Sequence, residues 1–169
     1  LWVNLPARNK MTSPFYRDIP AEAIPEFTTD AGVRVRVIAG MSHGTAGAVQ
    51  RPDTEPLYLD IHLPAGSSFM QPIDPGFNAF TYTYRGEVKI SGTVAPDRHM
   101  AILANDGSNA VCVEAREPAR IILVAGKPLN EPIVQYGPFV MNTQAEIQQT
   151  LQDYKAGYFQ RATVQSLGG

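Results

Sequence analysis

The sequence predicts an all-β fold finished by one C-terminal helix, and three observations predict it. Short segments of alternating polarity recur from Leu1 to about Val134. Gly, Pro, Asn and Asp punctuate them at the spacing of a sandwich or barrel. A helical period appears only near the end, after Asn142.

Taken in order, Leu1-Trp2-Val3 reads as a strand wanting a partner, an abrupt start that suggests a chain cut from something longer. The stretch from Met11 to Pro25 reads as an irregular connection, because Pro14, Pro20 and Pro25 lack the amide hydrogen that a ladder needs. Val33, Val35 and Val37 alternate with Arg34 and Arg36, which places the arginines on a wet face. The clearest strand is LYLDIHL, in which Leu57, Leu59, Ile61 and Leu63 face one way and Tyr58, Asp60 and His62 the other. Further strands are expected at 80–84, 87–90, 100–103, 110–113 and 119–125, with turns at Pro64-Ala65-Gly66, Pro75-Gly76, Ser91-Gly92 and Asn105-Asp106-Gly107. Thr143-Gln144-Ala145-Glu146 has the pattern of a capping box. Ile147, Leu151 and Tyr154 then form an apolar stripe, and Gly157 is the expected stop. The expected division is a β-domain over 1–141, with a helix and tail over 142–169 packed on it.

Composition narrows the function. Of 169 residues, 44% are hydrophobic and 18% charged, which suits a packed core. A net charge of −2 with scattered basic residues argues against direct nucleic-acid binding. No stretch supplies the roughly 20 apolar residues of a membrane helix, no signal peptide is visible, and a cytoplasmic location is expected. The single cysteine, Cys112, can form neither an internal disulfide nor a multi-thiolate zinc site, and it reads as a small buried hydrophobe. Gly40-Met41-Ser42-His43-Gly44 has the letters of a nucleophile elbow, but a glycine-rich connection between strands lacks the strand-to-helix turn that makes Ser nucleophilic. Neither a P-loop nor a dinucleotide fingerprint occurs. His43, His62 and His99 lie in separate segments without ligand spacing and read as ordinary hydrogen-bonded or surface histidines.

Several segments in order resemble the pirin family: LWVNLPARNKM at 1–11, YRDIPAEAIP at 16–25, VRVRVIAG at 33–40, LYLDIHLPAG at 57–66, NAFTYTYRGEVKISG at 78–92 and VQYGPFVMNTQAEIQQ at 134–149. Pirins resemble bicupins, so the resemblance implies a cupin (jelly-roll-type) β-barrel with a C-terminal α-helix, and specifically the C-terminal half of such a protein. It further implies that iron, held by three histidines and a glutamate, belongs to an N-terminal cupin half outside this chain. That half is the first expected partner. Quercetinase-like dioxygenase activity and a role as transcription cofactor through protein partners are what the resemblance implies for intact members. Self-association of this chain is also expected.

The resemblance lets the cupin metal motifs be laid on the sequence. In a cupin strand two histidines one residue apart point to the same side, where a glutamate joins them. Counting five residues from Gly66 puts Pro72 and Asp74 at the histidine positions and Asn78 at the glutamate, with Gly86 closing the frame. The second motif, opened by Gly92, leaves Ala110 at its histidine; a slip of one or two residues offers Val111 or Cys112. No catalytic residue and no metal in this chain are expected from such a set. The same frame turns Met70, Pro72, Asp74, Asn78, Phe80 and Tyr82 inward, chiefly as core packing, with Asp74 and Asn78 as the polar lining of a residual pocket. The leading reading is therefore a structural and interaction half of a bicupin. The rivals are an iron-dependent dioxygenase whose active site lies in the other half, and a sugar- or small-ligand-binding cupin.

Overall fold

Alternation along the strands decides the architecture. In the computed structural model, which describes residues 1–160 and 163–164, the ladders form two facing antiparallel sheets. Their strands in chain order are β1 (Glu26–Thr28), β2 (Arg34–Ala39), β3 (Leu57–Leu63), β4 (Ser67–Pro72), β5 (Asn78–Arg85), β6 (Val88–Ile90), β7 (Thr93–Ala95), β8 (His99–Ile102), β9 (Ala110–Ala115) and β10 (Ala119–Gly126). One sheet has the order β8-β5-β10-β3-β2-β1 and the other β7-β6-β9-β4. This is the double-sheet form of a jelly roll. The predicted faces of LYLDIHL are observed: Leu59 and Ile61 are wholly buried, while Tyr58, Asp60 and His62 lie half-buried on the other side. Val33, Val35 and Val37 join them with Ile121 and Leu123 to form the core.

Two glycines fix close approaches between elements. Gly86 follows β5 with φ +76°, and a Cβ there would lie 2.7 Å from the carbonyl oxygen of Pro118. Gly40 follows β2 with φ +79°, and its Cβ would meet the Pro56 carbonyl at 2.6 Å. Both positions need the left-handed backbone and the missing side chain together.

The chain divides into two compact units, residues 19–128 and residues 1–18 together with 129 onward. In the second unit a hairpin of β11 (Val134–Tyr136) and β12 (Phe139–Met141) supports helix α1 (Gln144–Lys155), with the Phe139 and Tyr154 rings 5.6 Å apart. Glu131 Oε2 accepts from the Ala7 amide at 2.7 Å and from Asn142 Nδ2 at 2.9 Å, which ties the N-terminal segment to this unit. The capping box is present: the Glu146 amide donates to Thr143 Oγ1, and the Thr143 amide donates back to the carboxylate. Gly157, at φ +78°, follows the helix as its C-terminal stop. Leu1–Val3 does not form the expected strand; these residues are irregular and exposed, Leu1 by 75%. Alternation over three residues is too short to specify a ladder without a partner.

Candidate functional site

The metal frame expected from the sequence is one residue out of phase with the observed strands. On β4 the buried residues are Ser67, Phe69 and Gln71, whereas Met70 and Pro72 point to solvent. Met70 is 56% exposed and lies across the ladder from Cys112. On β5 the wholly buried residues are Thr81 and Thr83, so Phe80 and Tyr82 lie on the outer face and do not line the interior. The cause is the period of two, by which a single-residue slip sends every side chain to the opposite face. Cys112 is exposed for the same reason, since Val111 and Val113 occupy the buried positions of β9. The expectation of a buried cysteine is corrected accordingly.

With the phase restored, the inward positions near this end of the sheets are Gln71, Ile73, Phe77 and, across the ladder, Val111. The spacing Gln71-x-Ile73 followed by Phe77 keeps the rhythm of the first motif. The slip that offers Val111 is the one that the strand phase selects. Gln71, only 3% exposed, is the one polar member of this set, and both ends of its amide are bonded. Buried Ser42 donates its hydroxyl to Gln71 Oε1 at 2.6 Å, and Gln71 Nε2 donates to the Pro72 carbonyl at 2.8 Å. Ser42 also lies 3.1 Å from His43 Nδ1. Its segment is a tight hairpin, Met41–Ser42 paired with Thr45–Ala46, whose turn residues His43 and Gly44 have φ +48° and +80°. That geometry is a type I′ hairpin rather than a nucleophile elbow. The His43 ring is held between Phe27 and Phe69, at 5.5 and 5.2 Å. Sequence reasoning missed Gln71 and Ser42 as a pair, and only the strand phase could have signalled that Gln71 points inward.

Three of the degenerate ligand positions do come together. Pro72 and Ala110 are direct cross-strand partners. Asp74 lines two neighbouring cavities of about 360 and 350 Å³, the first shared with Pro72 and the second with Ala110. All three remain partly or wholly open to solvent. Asp74 is committed to its own turn, with Oδ1 accepting from the Gly76 amide at 2.9 Å. Asn78 stands apart, pairing across the sheet with Gly126 and accepting from Asn105 Nδ2 at 2.8 Å. Iron needs imidazole or carboxylate donors directed at one point. The inward set of an amide and three hydrocarbon side chains does not fit it. Among the described residues no group of three His, Cys, Asp or Glu could hold a metal ion.

The outer face of the larger sheet carries a separate polar network. Arg34 Nη2 can only donate, so its 2.6 Å contact makes His62 Nδ1 an acceptor and leaves the imidazole proton on Nε2. That nitrogen lies 3.1 Å from Tyr84 Oη and 3.3 Å from Asp60 Oδ2. Tyr84 donates its hydroxyl to Asp60 Oδ1 at 2.7 Å. Burial, then the bond to Asp60, pushes the Tyr84 phenol up to about 12. Burial also lowers the His62 pKa; Asp60 opposes the shift, and Arg120 and Arg34 add to it.

Two facing antiparallel sheets, with paired ligand-motif positions at one end, define a cupin domain. The chain belongs to the pirin family: residues 58–160 match the pirin C-terminal cupin domain. It is 47% identical over 165 residues to a Pseudomonas aeruginosa relative provisionally named for quercetin 2,3-dioxygenase, covering 93% of this chain and 57% of that protein. It is 42% identical over 161 residues to human pirin, covering 92% of this chain and 54% of that protein. A solved quercetin 2,3-dioxygenase from Acinetobacter baumannii superposes with a TM-score of 0.84 at 33% identity, over 94% of this chain and 55% of that one. The chain thus spans little more than half the length of these relatives. Among the described residues no helix is long and apolar enough to cross a membrane.

Proposed function

We propose that this domain is the scaffold half of a two-cupin protein, packing against a metal-bearing companion domain and offering surface to protein partners. The carrying observation is the inward set at the ligand-motif end, Gln71, Ile73, Phe77 and Val111, which offers one amide and three hydrocarbon side chains. Gln71 is already engaged by Ser42. In this reading iron belongs to the companion domain, and the chain itself holds none. Elemental mass spectrometry after anaerobic incubation with ferrous iron tests the reading. The expected result is iron far below one per chain; stoichiometric iron that disappears in Gln71→Ala would overturn it.

A second reading is favoured by the relatives' names: the intact polypeptide is an iron-dependent dioxygenase acting on flavonol-type substrates, with this domain walling the substrate cleft. It places the chemistry in the companion domain and is compatible with a scaffold role here. Quercetin consumption by the intact polypeptide, and none by this chain alone, is the expected outcome. Turnover by the chain alone would remove both readings.

A further inference from the structure

Away from the ligand-motif end, the outer face of the larger sheet carries an unusual row of charges. Arg34 on β2 pairs directly across the ladder with His62 on β3, His62 with Arg120 on β10, and Arg120 with Arg85 on β5. Three guanidinium groups and an imidazole therefore stand side by side on four adjacent strands. Arg120 and Arg85 are the directly opposed guanidinium pair of the row, and like charges set across a ladder destabilise a sheet. A sequence of net charge −2, with 16 acidic residues against 14 basic, has ample means to interleave carboxylates here. It does not do so.

The row borders a cavity of about 480 Å³ whose walls include Arg34, His62, Arg85 and Arg120, with Thr28 at the rim and Leu63 below. No Asp or Glu is among its lining residues. Among the described residues, Arg36, further along β2, is paired with Glu26 at 2.9 Å, and the carboxylate that reaches the row is Asp60, 3.3 Å from His62 Nε2. Asp60 is turned toward Tyr84 and His62. Arg34 uses one nitrogen on the imidazole, which leaves its other donors free to meet a ligand. The volume lies within the range of small-molecule sites. The row is about 17 Å along β10 from Ala125, which lines a cavity at the other end, so the two places are distinct.

We propose that the Arg34–His62–Arg120–Arg85 row is a binding site for a small oxyanion, a phosphate- or carboxylate-bearing molecule whose oxygens are gripped by the guanidinium forks. Guanidinium matches both groups with paired N–H donors, which a lysine cannot do. Thr28 stands close enough at the rim to serve the same ligand. The bound anion neutralises a repulsion that the unliganded sheet carries. Neither the cupin ligand motifs nor the scaffold reading requires the site, so its fate is independent of theirs.

Isothermal titration calorimetry of the chain with inorganic phosphate and with citrate, at ionic strength fixed with sodium chloride, tests the proposal. At least one anion should bind with a Kd of about 1 mM or tighter. Tighter phosphate binding identifies a phosphate ligand, and tighter citrate binding a polycarboxylate. R85Q and R120Q should each weaken binding about tenfold, equivalent to 1.4 kcal/mol, while R36Q should leave it unchanged. In NMR spectra the anion should shift the His62 ring resonances and leave those of His99 in place. Arg85 is exposed, so R85Q should keep its fold. It should melt at or above the wild type without anion, and lose the stabilisation that anion gives the wild type. Binding of neither anion, or binding undiminished in both R85Q and R120Q, would overturn the assignment.

Discussion

The two faces of the larger sheet are built from the same strands yet follow different rules. Its inner face is mainly hydrocarbon, with Val35, Val37, Leu59, Ile61, Ile121 and Leu123 wholly buried beside the hydroxyls of Thr81 and Thr83. Its outer face holds Asp60, His62, Tyr84 and Arg34 in directed contacts, with Arg120 and Arg85 paired in register on the neighbouring strands. The inner face is tolerant of which apolar residue fills a place but intolerant of lost volume. The outer face depends on which atom donates to which. Stability thus resides on one side of the strands, and chemical specificity on the other.

Adjacent isoleucines on β10 give the largest test of that contrast. Ile121 is wholly buried, and Ile122 lies half-buried on the opposite face. Ile121→Ala should cost about 4 kcal/mol, the lost transfer energy plus the cavity left behind. Ile122→Ala should cost about 1 kcal/mol, because the outer face can relax into solvent. Urea unfolding of the two variants measures the gap, and equal losses would show that the two faces are not energetically distinct.

A smaller effect concerns the motif end, where Gln71 on β4 of the facing sheet brings a buried polar pair into the interior. Ser42→Ala leaves Gln71 Oε1 buried without its 2.6 Å donor. An orphaned buried acceptor costs about 1–3 kcal/mol. The double variant Ser42→Ala with Gln71→Leu should recover most of that loss, since replacing both partners by apolar groups removes the unmet demand. Thermal unfolding of the single and double variants reads this directly, and a double variant no better than the single would mean that the pair is not coupled.

How much of this was legible in the sequence follows from the length of the patterns. LYLDIHL carries seven alternating residues, so its faces could be read without error, as could those of Val33, Val35 and Val37 beside it. The capping box is local chemistry within four residues and needed no tertiary context. The phase of β4 was not legible in SSFMQP, where polar and apolar residues do not alternate cleanly. Counting from Gly66 therefore settled a matter that only the ladder to β9 decides. Met70, Phe80 and Tyr82 were assigned inward by that count, and Cys112 buried by the apolar run around it. The arginine row was invisible for a deeper reason. Its members lie at 34, 85 and 120 and meet only through three cross-strand registers, and one of those includes the irregularity between Arg120 and Ile121.

The smallest effect concerns protons on the outer face. Burial holds the His62 imidazole below its usual value near 6.5, with Arg120 and Arg34 acting in the same direction and Asp60 against it. The folded chain therefore binds this proton less tightly than the unfolded chain does. The associated stability is complete above about pH 6.5 and is lost as pH falls through that value toward the lower folded pKa. Protonation at Nδ1 would also set an N–H against the Arg34 donor that now occupies it. The His62 ring resonances should accordingly titrate below 6.5 in NMR spectra, and lower still in Asp60→Asn, where the one opposing charge has been removed. A His62 pKa at or above 6.5 would mean that Asp60 outweighs burial and the arginines. The outer face would then be an ordinary ion-paired surface rather than one with a surplus of positive charge.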